Sequence, residues 1–158
     1  MGGKPVVYIG NCQKYKGAVE AHQELKDLDV HLVTSGQRKV LIPAKNLDLD
    51  YRDYLRLLKA SSVVITMSRF KEGWNRTAHE AMICKTPVIG SGSGGMKELL
   101  AGGQQIICED IGKLRQSVLY ALDHPQMGDN GYAYAKNFTH ERFKSEWLNL
   151  VDEISNSS

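Results

Sequence analysis

The 158-residue sequence has no apolar run near the ~18 residues that a membrane span requires, and no low-complexity segment apart from its polar last residues. We also expect no secretory signal, because the first residues read as a strand rather than as an apolar stretch with a small-residue cleavage site. Its three cysteines form no C-x-x-C pair and no pattern of zinc spacing, so we expect free thiols and no structural metal. Together these absences predict a cytoplasmic protein.

Positive and negative charges are nearly balanced, since the sequence has 20 Lys and Arg residues and 18 Asp and Glu residues, for a formal net charge of +2. The basic residues are scattered rather than clustered, so bulk electrostatics predicts no nucleic-acid partner. With 42% hydrophobic and 24% charged residues, the composition is typical of a globular protein. At this length we expect one domain that spans residues 1–158.

Short β-branched runs alternate with longer amphipathic segments along the chain. Strands are predicted at 5–9, 30–34, 39–42, 63–67, 87–90 and 105–108, and helices at 17–28, 50–60, 76–84, 96–101, 112–122, 127–136 and 141–154. The strands are mostly continuous apolar runs, as expected when helices cover both faces of a parallel sheet. The predicted fold class is therefore α/β, with a single Rossmann-like, doubly wound parallel sheet. Ligands of such sheets bind beyond the carboxyl ends of the strands, which places a site in the loops after Ile9, Met67 and Ile89.

Two glutamates, Glu72 and Glu80, stand eight residues apart around a predicted helix start. If Asn75 caps that helix, Glu72 lies in the loop before it and Glu80 lies at the fifth helical position, so both can face one cleft. A carboxylate can accept two hydrogen bonds from the vicinal hydroxyls of a sugar. The free N–H groups of residues 73–76 suit an electronegative group between the two glutamates. The alternative is that Glu80 forms only a surface ion pair with Arg76.

The loop after the first strand, in the segment YIGNCQKYKG, carries Lys14 and Lys16 at the same edge of the predicted sheet. An ammonium group next to a diphosphate offsets the charge that develops as the diphosphate leaves, which stabilises the transition state of a transfer reaction. The alternative is that these lysines are only solvated.

The glycine-rich segment GSGSGG, Gly90 to Gly95, formally matches the G-x-G-x-x-G dinucleotide fingerprint, since it follows a predicted strand and precedes a helix. That fingerprint needs a long helix in the first βα unit, whereas this helix lasts about six residues and lies in the second half of the chain. We therefore expect a tight turn that lets two backbone segments approach closely. An NAD-dependent fragment is the alternative, and contact of an anion with the amides of Gly94 and Gly95 is compatible with either interpretation.

The segments EGWNRTAHEAM and CKTPVIGSGSGGMKELL resemble the E-x7-E region of the retaining GT-B glycosyltransferases, the glycosyltransferase group 1 family. The segment YIGNCQKYKG resembles the opening strand and loop of the same family. The likeness covers residues 5 to about 125 and corresponds to the carboxyl-terminal half of such enzymes, which binds the sugar donor. It implies one half of a GT-B fold and transfer of a sugar from a UDP- or GDP-sugar to an acceptor, with no metal or other cofactor.

The resemblance also implies roles for individual residues. Glu72 would hold the donor sugar and Lys16 would meet the diphosphate, which makes these two the catalytic candidates. Glu80 would hold the ribose hydroxyls. Asn11 stands where the family usually has an arginine that shares the diphosphate, so either stabilisation of the leaving group is weaker or Lys14 or Arg76 compensates. The complete set of residues expected to bind the nucleotide sugar is Asn11, Lys16, Glu72, Gly73, Trp74, Asn75, Arg76, Glu80, Gly94 and Gly95.

Enzymes of this family use two Rossmann-like domains, and this sequence supplies one. The resemblance therefore implies an N-terminal acceptor-binding domain or a partner chain. Phe143 and Trp147 in the closing helix could pack on that second half, although we expect them to pack on their own domain. Because Asn11 replaces the usual arginine, a non-catalytic sugar-nucleotide-binding or regulatory module is the alternative function.

Overall fold

The computed structural model describes residues 3–71 and 73–156. Within them, six strands form one fully parallel sheet in the order β3-β2-β1-β4-β5-β6. The strands are β1 (Val6–Asn11), β2 (His31–Ser35), β3 (Lys45–Leu47), β4 (Val63–Thr66), β5 (Val88–Gly90) and β6 (Ile106–Ile107). The chain adds strands to one side of β1 and then, from β4 onwards, to the other side. The strand order therefore reverses between β1 and β4, and this switch point is where such sheets bind ligands.

Helices cover both faces of the sheet, which confirms the prediction of a doubly wound α/β fold. They are α1 (Ala18–Leu25), α2 (Tyr51–Ala60), α3 (Arg76–Ile83), α4 (Met96–Gly102), α5 (Leu114–Asp123), α6 (Met127–Ala135) and α7 (His140–Asn156). Helices α1 and α5 pack together on one face, and α2, α3, α4 and α6 pack on the other. None of the helices in the described ranges is both long and apolar enough to span a bilayer.

The central strands are apolar on both sides because each face is buried under helices. All four residues of β4 are buried, and in β1 the side chains of Val7 and Ile9 enter the core under α1 while Tyr8 enters the opposite core. A strand buried on both faces reads as a continuous apolar run, and this is why β1 and β4 were predictable from the sequence.

The strand predicted at 39–42 is wrong, because this segment is a loop and the edge strand β3 is Lys45–Leu47. Pro43 lacks the N–H group that a sheet ladder requires, so the apolar run before it cannot continue as a strand. Ile42 is nevertheless only 7% exposed, since it fills the core under α1 from the loop. The apolar residues of segment 39–42 therefore indicated burial correctly but did not indicate the secondary structure.

The expectation that α7 packs on its own domain is also wrong. Every residue of this 17-residue helix is exposed, and Phe143 and Trp147 have exposed fractions of 60% and 54%. The helix begins as predicted, with the side chain of Thr139 accepting a hydrogen bond from the backbone N–H of Arg142 at 3.2 Å. Its apolar side chains are therefore left on the surface of the domain rather than in its core.

Candidate functional site

Two adjoining cavities open at the carboxyl edge of the sheet, one of about 180 Å³ beside β1 and β4 and one of about 420 Å³ beside β1 and β2. Four residues line both cavities: Asn11 at the end of β1, Lys16 in the following loop, and Arg76 and Thr77 in the first turn of α3. The cavities therefore lie at the switch point of the sheet, where the fold class predicts a ligand.

The loop that carries Lys16 is held against the loop after β4 by a glycine. Gly17 has a φ of +75°, and a Cβ atom at this position would lie 2.3 Å from the carbonyl oxygen of Met67. Only glycine combines this left-handed conformation with such a close approach. The short 3₁₀ turn Lys14–Lys16 ends at Gly17, so this contact sets the position of Lys16 beside the cavities.

The start of α3 is anchored to the sheet through its capping residue. Asn75 is 3% exposed, and its Oδ1 accepts a hydrogen bond from the backbone N–H of Ala78 at 2.8 Å, which is the cap that the sequence analysis assumed. Its Nδ2 donates to Oγ1 of Thr66 in β4 at 2.9 Å. The cap thus fixes the N-terminus of α3, with its positive dipole end, at the cavity.

The residues before this cap were all expected to contact the ligand. Trp74 lines the smaller cavity, and its ring is held by donation from Nε1 to Nδ1 of His79 at 2.9 Å and by Phe138, whose ring centroid lies 5.0 Å away. Gly73 is exposed, with nothing near the position a Cβ would take. Glu72 lies outside the described residues, so its expected role stays a prediction.

Glu80 lies in the second turn of α3, and its side chain lines the larger cavity with an exposed fraction of 17%. Its Oε1 accepts a hydrogen bond from the hydroxyl of Tyr51 at 3.1 Å and lies 3.5 Å from Nη2 of Arg76. The hydrogen bond to the carboxylate raises the pKa of Tyr51. The ion pair that the sequence offered as an alternative is therefore present, but the carboxylate also faces the cavity.

Two tyrosines of α2 belong to this site, and sequence reasoning missed both. Tyr51 and Tyr54 line the larger cavity, and the hydroxyl of Tyr54 donates to Oγ1 of Thr77 at 3.2 Å. Burial raises the pKa of Tyr54, which keeps its hydroxyl protonated at neutral pH. Their contacts span 23 and 29 residues of sequence, and α2 displays only an ordinary amphipathic pattern, so no local signal pointed to them.

The glycines of the segment 90–95 lie apart from the residues that line the two cavities. Gly94 and Gly95 precede α4 beyond the end of β5, and they are not among the described residues that line the two cavities. A Cβ atom at Gly90 would lie 2.6 Å from Sδ of Met96 and 2.7 Å from Cδ1 of Leu100. Gly90 thus serves the close approach of strand and helix that the sequence analysis expected.

Comparison with known proteins assigns the chain to a family. A sequence model described as Glycosyl transferases group 1 matches residues 3–124, which is most of the chain. The chain belongs to this family. As a group 1 glycosyltransferase domain, it is 35% identical to a trehalose synthase of Pyrococcus horikoshii over 102 residues, which cover 61% of this chain and 24% of that relative.

Solved structures share the fold of this group 1 domain at low sequence identity. A sucrose-phosphate synthase from Thermosynechococcus elongatus is 20% identical with a TM-score of 0.77, and the match covers 98% of this chain and 46% of that one. The Anabaena protein HepE, solved in complex with UDP-glucose, is 18% identical with a TM-score of 0.78 and coverage of 94% and 48%. The chain thus spans about half or less of the length of these relatives, and the Rossmann-like fold of one GT-B half is confirmed.

Proposed function

We propose that this chain is the sugar-donor-binding domain of a retaining glycosyltransferase that uses a nucleoside-diphosphate sugar. The observation that carries the proposal is the placement of the Glu80 carboxylate and the Lys16 ammonium on one continuous pair of cavities at the switch point of the sheet. A nucleoside diphosphate carries ribose hydroxyls, which can donate hydrogen bonds to a carboxylate. It also carries phosphates, whose negative charge an ammonium group can neutralise. Membership of the group 1 family supports the same conclusion.

The proposed pose assigns each part of the ligand to a part of the site. Glu80 accepts hydrogen bonds from the ribose hydroxyls in the larger cavity, where Tyr51 holds one of its oxygens. Lys16 and Arg76 line both cavities and face the diphosphate, together with the N-terminus of α3. Glu72, on the strength of the family resemblance, holds the donor sugar. HepE was solved with UDP-glucose, which supports a UDP-sugar, and GDP-sugars are the second class to test.

The chemistry that follows from this pose is electrostatic. When the bond between the sugar and the diphosphate breaks, negative charge grows on the leaving phosphate. Lys16 and Arg76 stabilise that charge from the wall of the cavity, which lowers the barrier without a metal ion in the proposed mechanism. Retention of the anomeric configuration is part of the proposal and rests on the family resemblance.

Transfer also requires an acceptor site, which we propose is supplied by an N-terminal domain or a partner chain. The relatives are about two to four times as long as the matched region, and helix α7 exposes an apolar stripe. Phe143, Trp147 and Leu148 are each more than half exposed on that stripe. An apolar face of this kind supports docking of a second domain, since isolated domains seldom expose one.

Isothermal titration calorimetry with UDP-glucose, GDP-glucose, UDP and GDP tests the proposal. We expect binding of one nucleotide class, and competition between its sugar form and its free diphosphate. The absence of heat with all four ligands would refute it. Glu72→Ala should change discrimination between sugars while it leaves affinity for the free diphosphate nearly unchanged.

One observation favours a second candidate function, a non-catalytic sugar-nucleotide-binding or regulatory module. The neutral side chain of Asn11 lines both cavities at the place where the family usually carries arginine, which leaves less charge for a leaving diphosphate. A release assay for free UDP or GDP from the bound donor, with and without the N-terminal half, separates the two. Steady release supports the enzyme, and tight binding without release supports the module.

A further inference from the structure

A buried chain of hydrogen bonds leads from the core to the wall of the site. The hydroxyl of Tyr8 lies 2.8 Å from Oγ of Ser35, and Oγ of Ser35 lies 3.3 Å from Oδ1 of Asn11. Tyr8 and Ser35 have exposed fractions of 1% and 4%. We refer to these three residues, on the neighbouring strands β1 and β2, as the relay.

The number of hydrogens in the relay sets its direction. Ser35 has one hydroxyl hydrogen, and it donates this hydrogen to the amide oxygen of Asn11. The bond between the two hydroxyls must then use the hydrogen of Tyr8, with Ser35 as the acceptor. Burial raises the pKa of Tyr8 to about 12, so that this hydrogen is present throughout the neutral range.

This direction turns the amide nitrogen of Asn11 towards the cavities. Its Oδ1 is held on the side of β2, where a Cβ atom on Gly36 would lie only 3.2 Å from it. In the part of the chain that the structure describes, Nδ2 of Asn11 has no hydrogen-bond partner. Asn11 lines both cavities, as Lys16 and Arg76 do, so its two N–H groups face the same space as the two cations.

We propose that Asn11 is a neutral hydrogen-bond donor to the diphosphate, and that Ser35 is the positioning residue that aims it. This inference rests on the proposed function and goes beyond it, since it gives the residue in the arginine position a defined orientation. A neutral amide donates to a phosphate oxygen without adding charge. The diphosphate would thus be recognised by Lys16 and Arg76 as cations and by Asn11 as an uncharged donor.

The opposite orientation of the Asn11 amide predicts the opposite effect of Asn11→Asp on ligand binding. If Oδ1 faced the cavities, Asn11 would accept a hydrogen bond from a hydroxyl of the ligand, and Asn11→Asp would preserve or strengthen binding. In the proposed orientation one oxygen of Asp still accepts from Ser35, while the other carries negative charge towards the diphosphate. Asn11→Asp therefore keeps the relay and reverses the electrostatics of the contact.

The experiment compares UDP with uridine, because uridine lacks the phosphates and reports contacts to the base and ribose alone; GDP with guanosine is run in parallel. We expect Asn11→Ala to weaken UDP binding roughly 10- to 100-fold and Asn11→Asp by about 100-fold or more, with uridine affinity unchanged. Ser35→Ala should weaken UDP binding roughly 3- to 10-fold, because Asn11 loses its fixed orientation.

Two further variants separate positioning from stability. Ser35→Ala leaves the hydroxyl of Tyr8 buried without an acceptor, so the double variant Tyr8→Phe/Ser35→Ala removes both groups. It should recover thermal stability but not UDP affinity. The matched control is Ser61→Ala, since the hydroxyl of Ser61 is equally buried and donates only to the carbonyl of Leu57, away from the site.

The outcomes distinguish the two levels of the proposal. If the unmodified chain binds neither UDP nor GDP, the proposed function itself fails. If it binds UDP but Asn11→Asp binds equally well, or if UDP and uridine lose affinity together, then only the inference about the relay is overturned.

Discussion

The replacement Glu80→Ala separates the two interpretations of this carboxylate, because the structure predicts a small cost to folding and a large cost to binding. The ion pair with Arg76 has an N–O distance of 3.5 Å and the arginine side chain is 81% exposed, so its loss costs only a few tenths of a kcal/mol. Tyr51 is 58% exposed and can replace its bond to Glu80 with one to water. We therefore expect destabilisation below about 1 kcal/mol, which lowers the melting temperature by less than about 2–4 °C.

The binding cost should be larger, because the ribose hydroxyls would lose a charged acceptor that is mostly shielded from water. An interaction of this kind is worth about 1–3 kcal/mol, which corresponds to roughly 5- to 150-fold weaker binding of UDP. The assay is titration calorimetry with UDP and with 2′,3′-dideoxyuridine diphosphate, which lacks both ribose hydroxyls. Glu80→Ala should weaken the binding of UDP and leave the affinity for the dideoxy nucleotide nearly unchanged.

A matched variant controls for the loss of a helical ion pair. Glu146 in α7 accepts a hydrogen bond from Nε of Arg142 at 2.7 Å with the same spacing of four residues, and it lies outside the two cavities. Glu146→Ala should leave the affinity for UDP unchanged. Equal losses for UDP and the dideoxy nucleotide, or no loss for either, would refute the ribose role of Glu80.

Three further predictions concern the elements that position the site. Asn75→Ala removes the cap of α3 and its bond to Thr66, and should lower the free energy of unfolding by about 1–3 kcal/mol in urea denaturation. Gly17→Ala should destabilise by more than about 1 kcal/mol and also weaken nucleotide binding, because the new methyl group meets the carbonyl of Met67. Tyr8 has a pKa raised from 10.0 to about 12, so its stabilising effect is complete below pH 10 and is lost as pH rises towards 12. The two-unit shift is worth about 2–3 kcal/mol, and Tyr8→Phe should remove that share of the alkaline fall in unfolding free energy.

The fold was predictable from the sequence where burial on two faces leaves a continuous apolar run, as in β1 and β4. It was not predictable at the edge of the sheet. Strand β3 has the sequence KNL, and its place depends on tertiary contacts of Asn46, which accepts from Oγ1 of Thr34 and donates to the carbonyl of Gly36. An edge strand with one neighbour needs few apolar residues, so the apolar run at 39–42 was the stronger but misleading signal.

The residues of the candidate site also divide into those that local sequence signals indicate and those that depend on long-range contacts. Lys16, Asn75 and Glu80 were predictable because helix starts and loops after strands have local signals, namely capping residues and charge at a strand end. The tyrosines of α2 and the relay from Tyr8 to Asn11 were not, because their contacts join residues 23 to 29 positions apart. Side-chain partners across a sheet depend on the strand order, and no short segment of sequence predicts the strand order.

The two halves of the proposed ligand are linked through Arg76, and this leads to a last prediction. Arg76 contacts Glu80 only weakly, and its long, exposed side chain can reach a second anion at little cost. When a diphosphate is bound, Arg76 would be shared between the phosphate and the carboxylate. Removal of Glu80 leaves Arg76 wholly to the phosphate, which should offset part of the affinity lost at the ribose.

The affinity losses of Glu80→Ala and Arg76→Ala should therefore not add. In the double variant Arg76 can no longer compensate, so UDP binding should fall by more than the sum of the two single losses, by at least about 0.5 kcal/mol. Calorimetric titration of UDP into all four proteins gives this coupling energy. Additivity within about 0.3 kcal/mol would mean that Arg76 does not join the ribose and diphosphate parts of the site, and that each is held independently.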